Sequence, residues 1–308
     1  TIIKNLSLKI VFCYLAIYIV WGSTYLFIKI SVETMPTFYL VGGRFFLGGL
    51  FFLLICRASG KLKKLPSPIE LLSTLFLGTF LCLLGNGFVS MGEKSVDSYL
   101  AALIVSSTPF VVAMFNALFF RQLPSISHIF GMLFGITGVA LILYNGSSLS
   151  FSLTPGTYMV IAGLFCWAFA TSLGHRMKVP SNNLVNSGFQ MFFAGAIGLI
   201  ISAIVYPPAQ TIIPSISLKS WIGLAYLTVP GAAAFYCYSY LIKNEPSSRV
   251  VSYAIVNPPI AVLLGILIGR EKPAQFLFWG LPLILIGLIL MLYGSKLKEI
   301  FFKKHDHL

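Results

Sequence analysis

Charge is what this sequence has least of. Only 9% of its 308 residues are Asp, Glu, Lys or Arg, too few to cover a water-facing surface at ordinary charge density. A soluble globular chain is thereby set aside. Acids are scarcer still: the 8 present, Glu33, Glu70, Glu93, Asp97, Glu245, Glu271, Glu299 and Asp306, lie at the ends of apolar runs or outside them. No His/Asp/Glu cluster, nucleophile elbow or phosphate loop accompanies them, so the chain is read as no enzyme and no cofactor is expected. The 5 cysteines (Cys13, Cys56, Cys82, Cys166, Cys237) are odd in number and mostly inside apolar runs. They offer neither a disulfide framework nor metal-ligand spacing, and no metal is expected; they read as small apolar packing residues. The 4 histidines are scattered, two of them in the last four residues.

Hydrophobic residues, at 57%, fill the space that charge leaves. Apolar runs of roughly 18–25 residues, the length that crosses a bilayer core as helix, recur along the chain. They lie near 8–30, 37–56, 69–91, 96–120, 126–144, 156–175, 184–206, 218–242, 247–268 and 275–294. The first is too long for a signal peptide and shows no cleavage site, so it is counted as a span. Lipid tolerates no unpaired backbone, so every run must be helical. The expectation is an all-α membrane protein of ten transmembrane helices.

Lys and Arg orient it. With the N-terminus inside, fifteen of the 21 fall in inner links or tails, four (Lys94, Lys219, Arg270, Lys272) in outer links, and Lys29 and Arg44 within spans. Both termini are therefore expected in the cytoplasm, with the chain multi-pass in the inner (plasma) membrane. The net charge of +13 belongs to these links and to a short basic tail, which points to the bilayer as partner and not to nucleic acid. Trp221 and Trp279 open spans eight and ten at the outer interface, a level that indole rings favour.

A fixed offset of 149 residues relates the two halves. It carries Ser98 onto Ser247, Pro109 onto Pro258, Arg121 onto Arg270, Pro124 onto Pro273, Gly131 onto Gly280, Gly138 onto Gly287 and Tyr144 onto Tyr293. The expected division is a first five-helix repeat over 1–145 and a second over 146–308. Five is odd, so the second copy must enter the membrane upside down. Inverted repeats are an architecture of secondary transporters, whose site lies near the midplane between halves that rock against each other.

With these residues in view, the chain resembles the EamA-type branch of the drug/metabolite transporter superfamily. Trp21-Gly22-Ser23-Thr24-Tyr25 resembles the branch's W-G-S-[ST]-[FY] opening, and Pro36 followed by Arg44-Phe45 its P…R-F signature. Gly85-Asn86-Gly87, Glu93 and Ser98 through Leu100–Ile104 to Pro109 resemble one exporter sub-branch, and Gly269-Arg270-Glu271 a G-x-E that closes the fourth helix of a repeat. The first repeat departs from that pattern at Arg121-Gln122. The resemblance implies a ten-helix exporter with a central cavity, carrying amino acids or other small metabolites. A lipid or amphiphile translocator on the same fold is the alternative.

Candidate site residues follow from the spans. Trp21 and Trp167 lie mid-span in the first helix of each repeat, where an indole needs a partner for its N–H, and they read as two walls flanking an organic substrate. Thr24, Tyr25 and Thr171 lie within a turn of them. Asn86 is an amide inside span three. Pro109, Pro258 and Pro259 remove amide donors and are expected to break or kink spans four and nine, with Tyr253 and Asn257 beside the second break. Tyr236 and Tyr240 share a helix face, which Tyr238 does not. Arg44 is a cation within a span, with Glu33 or Glu93 as its expected structural partner; Arg44 and Glu93 are read as structural or gating charges. Such a lining suits a neutral, zwitterionic or cationic organic molecule. With no acid near a span centre, and with Glu93 and His175 at opposite ends, transport is expected to need no obligatory proton.

Overall fold

The computed structural model describes residues 8–144, 153–174, 176–244 and 252–303. Among them the long elements are helices and none is a β-strand. In chain order they are α1 (Leu8–Val32), α2 (Thr37–Ala58), α3 (Pro68–Gly92), α4 (Ser98–Phe120) and α5 (Ile126–Leu143). There follow α6 (Pro155–Gly174), α7 (Asn183–Val205), α8 (Leu218–Asn244), α9 (Tyr253–Leu267) and α10 (Leu277–Lys303). The breaks between them carry ordinary start signals. The Glu70 carboxylate accepts from the Ser67 amide at 2.8 Å and from its hydroxyl at 2.7 Å ahead of Pro68, and Asn182 Oδ1 accepts from the Leu184 and Val185 amides.

Eight of these helices are by themselves long and apolar enough to cross a membrane. Leu218–Tyr238, taken with the segment Ala209–Ser215 that meets it at 103°, brings the number to nine. The helix α9 is the shortest at 15 residues, and the expected start of that span, near 247, lies outside the described residues. So do Ser247 and His175.

The two repeats are inverted, and the crossing of α5 with α10 demonstrates it. A Cβ added at Gly131 would come 2.7 Å from Gly287 O, and one at Gly138 would come 2.6 Å from Gly280 O. The lower-numbered glycine of one helix thus meets the higher-numbered glycine of the other, so the helices run antiparallel. Yet the offset of 149 makes Gly131 equivalent to Gly280 and Gly138 to Gly287, so each contact is the other's symmetry mate. Helices that are equivalent, adjacent and antiparallel require a two-fold axis across the bundle. Only a residue without a side chain admits backbone at this distance, and without hydrophobic drive between helices in lipid such close packing holds them together. The crossing of α2 with α7 repeats the arrangement: Gly42 abuts Gly198 and Leu199, while Gly49 abuts Gly188 and Phe192.

Links of alternate parity gather at one end of the bundle, as a chain threading up and down demands. There Thr34 of the α1–α2 link hydrogen-bonds Ser217 at 3.1 Å, Lys29 Nζ donates to Val96 O at 2.8 Å, and the α9–α10 link reaches the start of α4.

The irregularities fall only partly where proline places them. The helix α4 is interrupted between Val105 and Thr108. Pro109 has no N–H for the Val105 carbonyl, and the Thr108 hydroxyl takes that carbonyl instead, at 2.6 Å. The helix α9, by contrast, runs unbroken through Pro258 and Pro259, so of the break or kink expected in span nine the break does not form. Proline's fixed φ is itself helical, so two lost hydrogen bonds alone do not interrupt the winding. A third irregularity has no proline: Thr79–Gly85 in α3 is wound as a wide π turn. The Asn86 amide donates to Leu81 O at 3.1 Å, five residues back, and satisfies it.

Candidate functional site

The helix α1 lies at the centre of the candidate site, in contact with α8 and α9 from the opposite repeat. Close approach to α9 depends on Gly22, where a Cβ would stand 2.8 Å from Ile260 and 3.4 Å from Asn257 O. One residue before it, the Trp21 ring meets Tyr253 edge-on at 4.8 Å and Tyr238 at 5.0 Å, and the two tyrosines are 6.0 Å apart. Three rings from three helices thus form one wall, drawn from both repeats.

The structure distributes the remaining candidates unevenly. Trp167 is 39% exposed and faces Gly85 of α3, so the two indoles are not matching walls: Trp21 is enclosed by rings and Trp167 is not. Tyr236 is 44% exposed, and Tyr240 carries the Lys9 ammonium 4.1 Å above its ring. Neither joins Trp21; Tyr238 does. Helical spacing paired Tyr236 with Tyr240, and nothing in the sequence told which tyrosine of α8 lies at the level of Trp21. Thr24 and Thr171 donate to Trp21 O and Trp167 O at 2.7 and 2.8 Å, so their protons are used within their own helices. Asn257, with its amide turned to satisfy both neighbours, donates to Tyr253 O at 3.1 Å and to Tyr18 O at 3.2 Å. It joins α9 to α1 by hydrogen bonds, as does the Tyr18–Ser252 pair at 2.6 Å.

Beyond Trp21 along α1 the site turns polar and then charged. Tyr25, Arg44 and Glu93 interact electrostatically, and the Arg44 guanidinium lies 4.8 Å over the Phe45 ring. At the end of the bundle a cavity of about 380 Å³ is bordered by Lys29, Arg270 and Lys272 and by Glu33, Asp97 and Glu271. Three cations and three acids therefore share its wall. Burial raises the Asp97 carboxyl above the ordinary carboxylate range; Glu271 adds to the rise and Lys29 opposes it.

Glu271 closes this end. Its carboxylate accepts from the Ser98 amide at 2.8 Å, the Ser98 hydroxyl at 3.0 Å and the Tyr99 amide at 3.3 Å. These are the otherwise unpaired donors of the first turn of α4, and an anion there also meets the positive end of the helix dipole. Tyr99 completes the clasp, donating to Lys272 O at 3.0 Å and accepting from the Ala274 amide at 2.9 Å. Position within one repeat gave no sign of this partnership, which spans 173 residues.

Glu93 lies just beneath, immediately after α3. It is 0% exposed, and neither carboxylate oxygen has a hydrogen-bond partner. Of the two acids expected to pair with Arg44, Glu93 therefore makes no hydrogen bond to it. Burial drives the Glu93 carboxyl well above the ordinary range; Lys29 and Arg44 pull it down, and Glu271 pushes it up.

Comparison with known proteins agrees with this architecture. The model of the EamA-like transporter family matches the chain twice, over residues 8–144 and 154–293. YedA of Escherichia coli K12, described as an uncharacterized inner membrane transporter, is 32% identical over 284 residues, 92% of this chain and 90% of its own. The protein PagO of Salmonella typhimurium LT2 is 24% identical over 96% of this chain and 95% of its own. A solved crystal structure at 20% identity superposes with a TM-score of 0.63, covering 91% of this chain and 95% of that one, which shows the shared fold.

Proposed function

The chain belongs to the EamA-like transporter family, and from that premise we propose that it exports small organic metabolites such as amino acids by alternating access. One observation carries the reading. The aromatic wall at Trp21 draws on both inverted repeats, so rocking one repeat against the other opens and closes the wall itself. Around it stand hydroxyls, amides and ring faces, a lining suited to a neutral, zwitterionic or cationic molecule. The Trp21 ring supplies a stacking face, and Tyr25 and Tyr253 supply hydroxyls.

On the same reading the carrier lies in the inner membrane, the membrane of its relative YedA, and crosses it ten times, with α8 and α9 as spans. Fifteen inner cations against four outer ones put both termini in the cytoplasm and the Glu271 clasp outside. The structure is then the outer-closed half of the cycle. A thermal-shift screen of the purified protein against amino acids and related metabolites tests the proposal, because a ligand that binds the folded state raises its melting temperature. At least one neutral, zwitterionic or cationic compound is expected to do so. Trp21→Ala should weaken that binding about tenfold to a hundredfold, the loss of one stacking wall. A folded Trp21→Ala variant with undiminished binding would refute the placement of the site.

A further inference from the structure

Glu93 is a carboxyl group that this fold buries completely and leaves without a hydrogen bond on either oxygen. An ionised carboxylate in that position forfeits its hydration and gains nothing directly in return. The groups facing it come from three directions. From α1 come Lys29, whose ammonium is directed to Val96 O at 2.8 Å, and the Tyr25 phenol; from α2 comes Arg44; from the α9–α10 link comes Glu271. Glu271 is itself held on the start of α4. The helix α6, packed on the end of α3 through Gly156 and Val160, brings nothing titratable to this point. Lys29 and Arg44 favour ionisation, but neither side chain hydrogen-bonds the carboxylate.

We propose that Glu93 is a proton-binding site of the carrier, occupied while the clasp between Glu271 and the start of α4 is closed and emptied when that end opens. The proton is the ligand. In the closed state it sits on a Glu93 oxygen and the group is a neutral acid, the one form that needs no water. Opening admits water through the charged cavity, the O–H bond breaks, and the proton leaves to solvent, so that an ionised Glu93 holds the end open. This stands against the expectation of proton-independent transport, which rested on the absence of an acid near a span centre and on Glu93 and His175 lying at opposite ends of their spans. The coupling half of the proposal rests on the alternating-access reading; the protonation half stands without it.

The experiment uses the full-length protein with Cys13, Cys56, Cys82, Cys166 and Cys237 replaced by Ala. One reporter cysteine is placed at Leu26, which is 3% exposed and lies against Gly269 of the clasping link. A second, at the exposed Lys94, controls for thiol ionisation. Maleimide labelling at Leu26→Cys, divided by that at Lys94→Cys, should rise about tenfold or more between roughly pH 6 and pH 9, and should stay flat when Glu93→Gln is added. Infrared spectra of the protein with isotope-labelled glutamate should show a protonated carboxyl band at neutral pH that disappears on opening. That band needs no variant and decides the first half even if Glu93→Gln does not fold. Its absence at neutral pH would overturn the proposal. A band accompanied by pH-independent labelling at Leu26→Cys would overturn it too, since the proton would then be held without being coupled. Neither outcome touches the screen for organic substrates.

Discussion

The fourth helix of each repeat ends in the same backbone and then diverges. Arg121 and Arg270 adopt left-handed φ values of 53° and 54°, alone among the described residues other than glycine. Each therefore stops its helix with the same turn. After Arg270 the chain places Glu271 on the start of α4, and Gly265 leaves room for it, since a Cβ there would overlap Glu271 Oε2. After Arg121 stands Gln122, which is exposed. The residue equivalent to Gly265 is Asn116, whose Oδ1 accepts from Ser172 Oγ of α6 at 2.7 Å. Duplication thus preserved the geometry of the turn, while among the described residues only the turn after Arg270 carries an anionic clasp. The difference teaches that two halves with one fold need not contribute equally to the two closed states of a carrier.

The largest effect is expected from removing the clasp. Glu271→Ala leaves the Ser98 and Tyr99 amides without their acceptor and should lower stability by about 2–3 kcal/mol, as a lost charged cap does. Unfolding in mixed micelles measures it, and a loss below about 0.5 kcal/mol, the scale of an ordinary surface change, would dissolve the comparison. Filling the space beside it comes next. Gly265→Ala forces the Glu271 carboxylate aside and should cost about 1–3 kcal/mol, the range of overpacking. Asn116→Ala at the equivalent place removes one neutral hydrogen bond and should cost only about 1 kcal/mol. Equal costs at the two positions would mean that the ends are alike after all. The smallest effect should come from Gln122→Glu. That change restores the acid but not the room for it, and stability should move by no more than about 0.5 kcal/mol. A gain of the size lost in Glu271→Ala would show that composition alone separates the ends.

Much of this molecule is legible in its residue order because a membrane simplifies the code. Run length placed every helix start to within a few residues, α9 excepted, and the constant offset exposed the inverted repeat before any contact was known. Pro109 marked the break in α4 for the expected reason, a missing donor. What escaped was every feature that depends on how helices face one another. Tyr238 meets the Trp21 ring, whereas Tyr236 and Tyr240 do not join it. Asn86 spends its amide inside its own helix on a wide turn that leaves no mark in composition. The double proline at Pro258 and Pro259 is strong punctuation locally, yet α9 continues through it. Glu93 reads as a span-end acid, and only the folded bundle shows it fully buried. Periodicity reports that a helix has faces; which neighbour each face meets is decided by the whole bundle.

The inverted arrangement itself is open to one direct measurement. Lys94 and Gln122 are both exposed and flank the same helix, α4, at its clasped and unclasped ends. Single cysteines at these positions, on a background without other cysteines, can be labelled with a membrane-impermeant maleimide in intact cells and in inside-out vesicles. Lys94→Cys should label only from the periplasmic side and Gln122→Cys only from the cytoplasmic side, with the clasp therefore outside. Labelling of both from one side would contradict the crossing of α4. Labelling with the sides exchanged would turn the carrier over and make the Glu271 clasp its cytoplasmic closure.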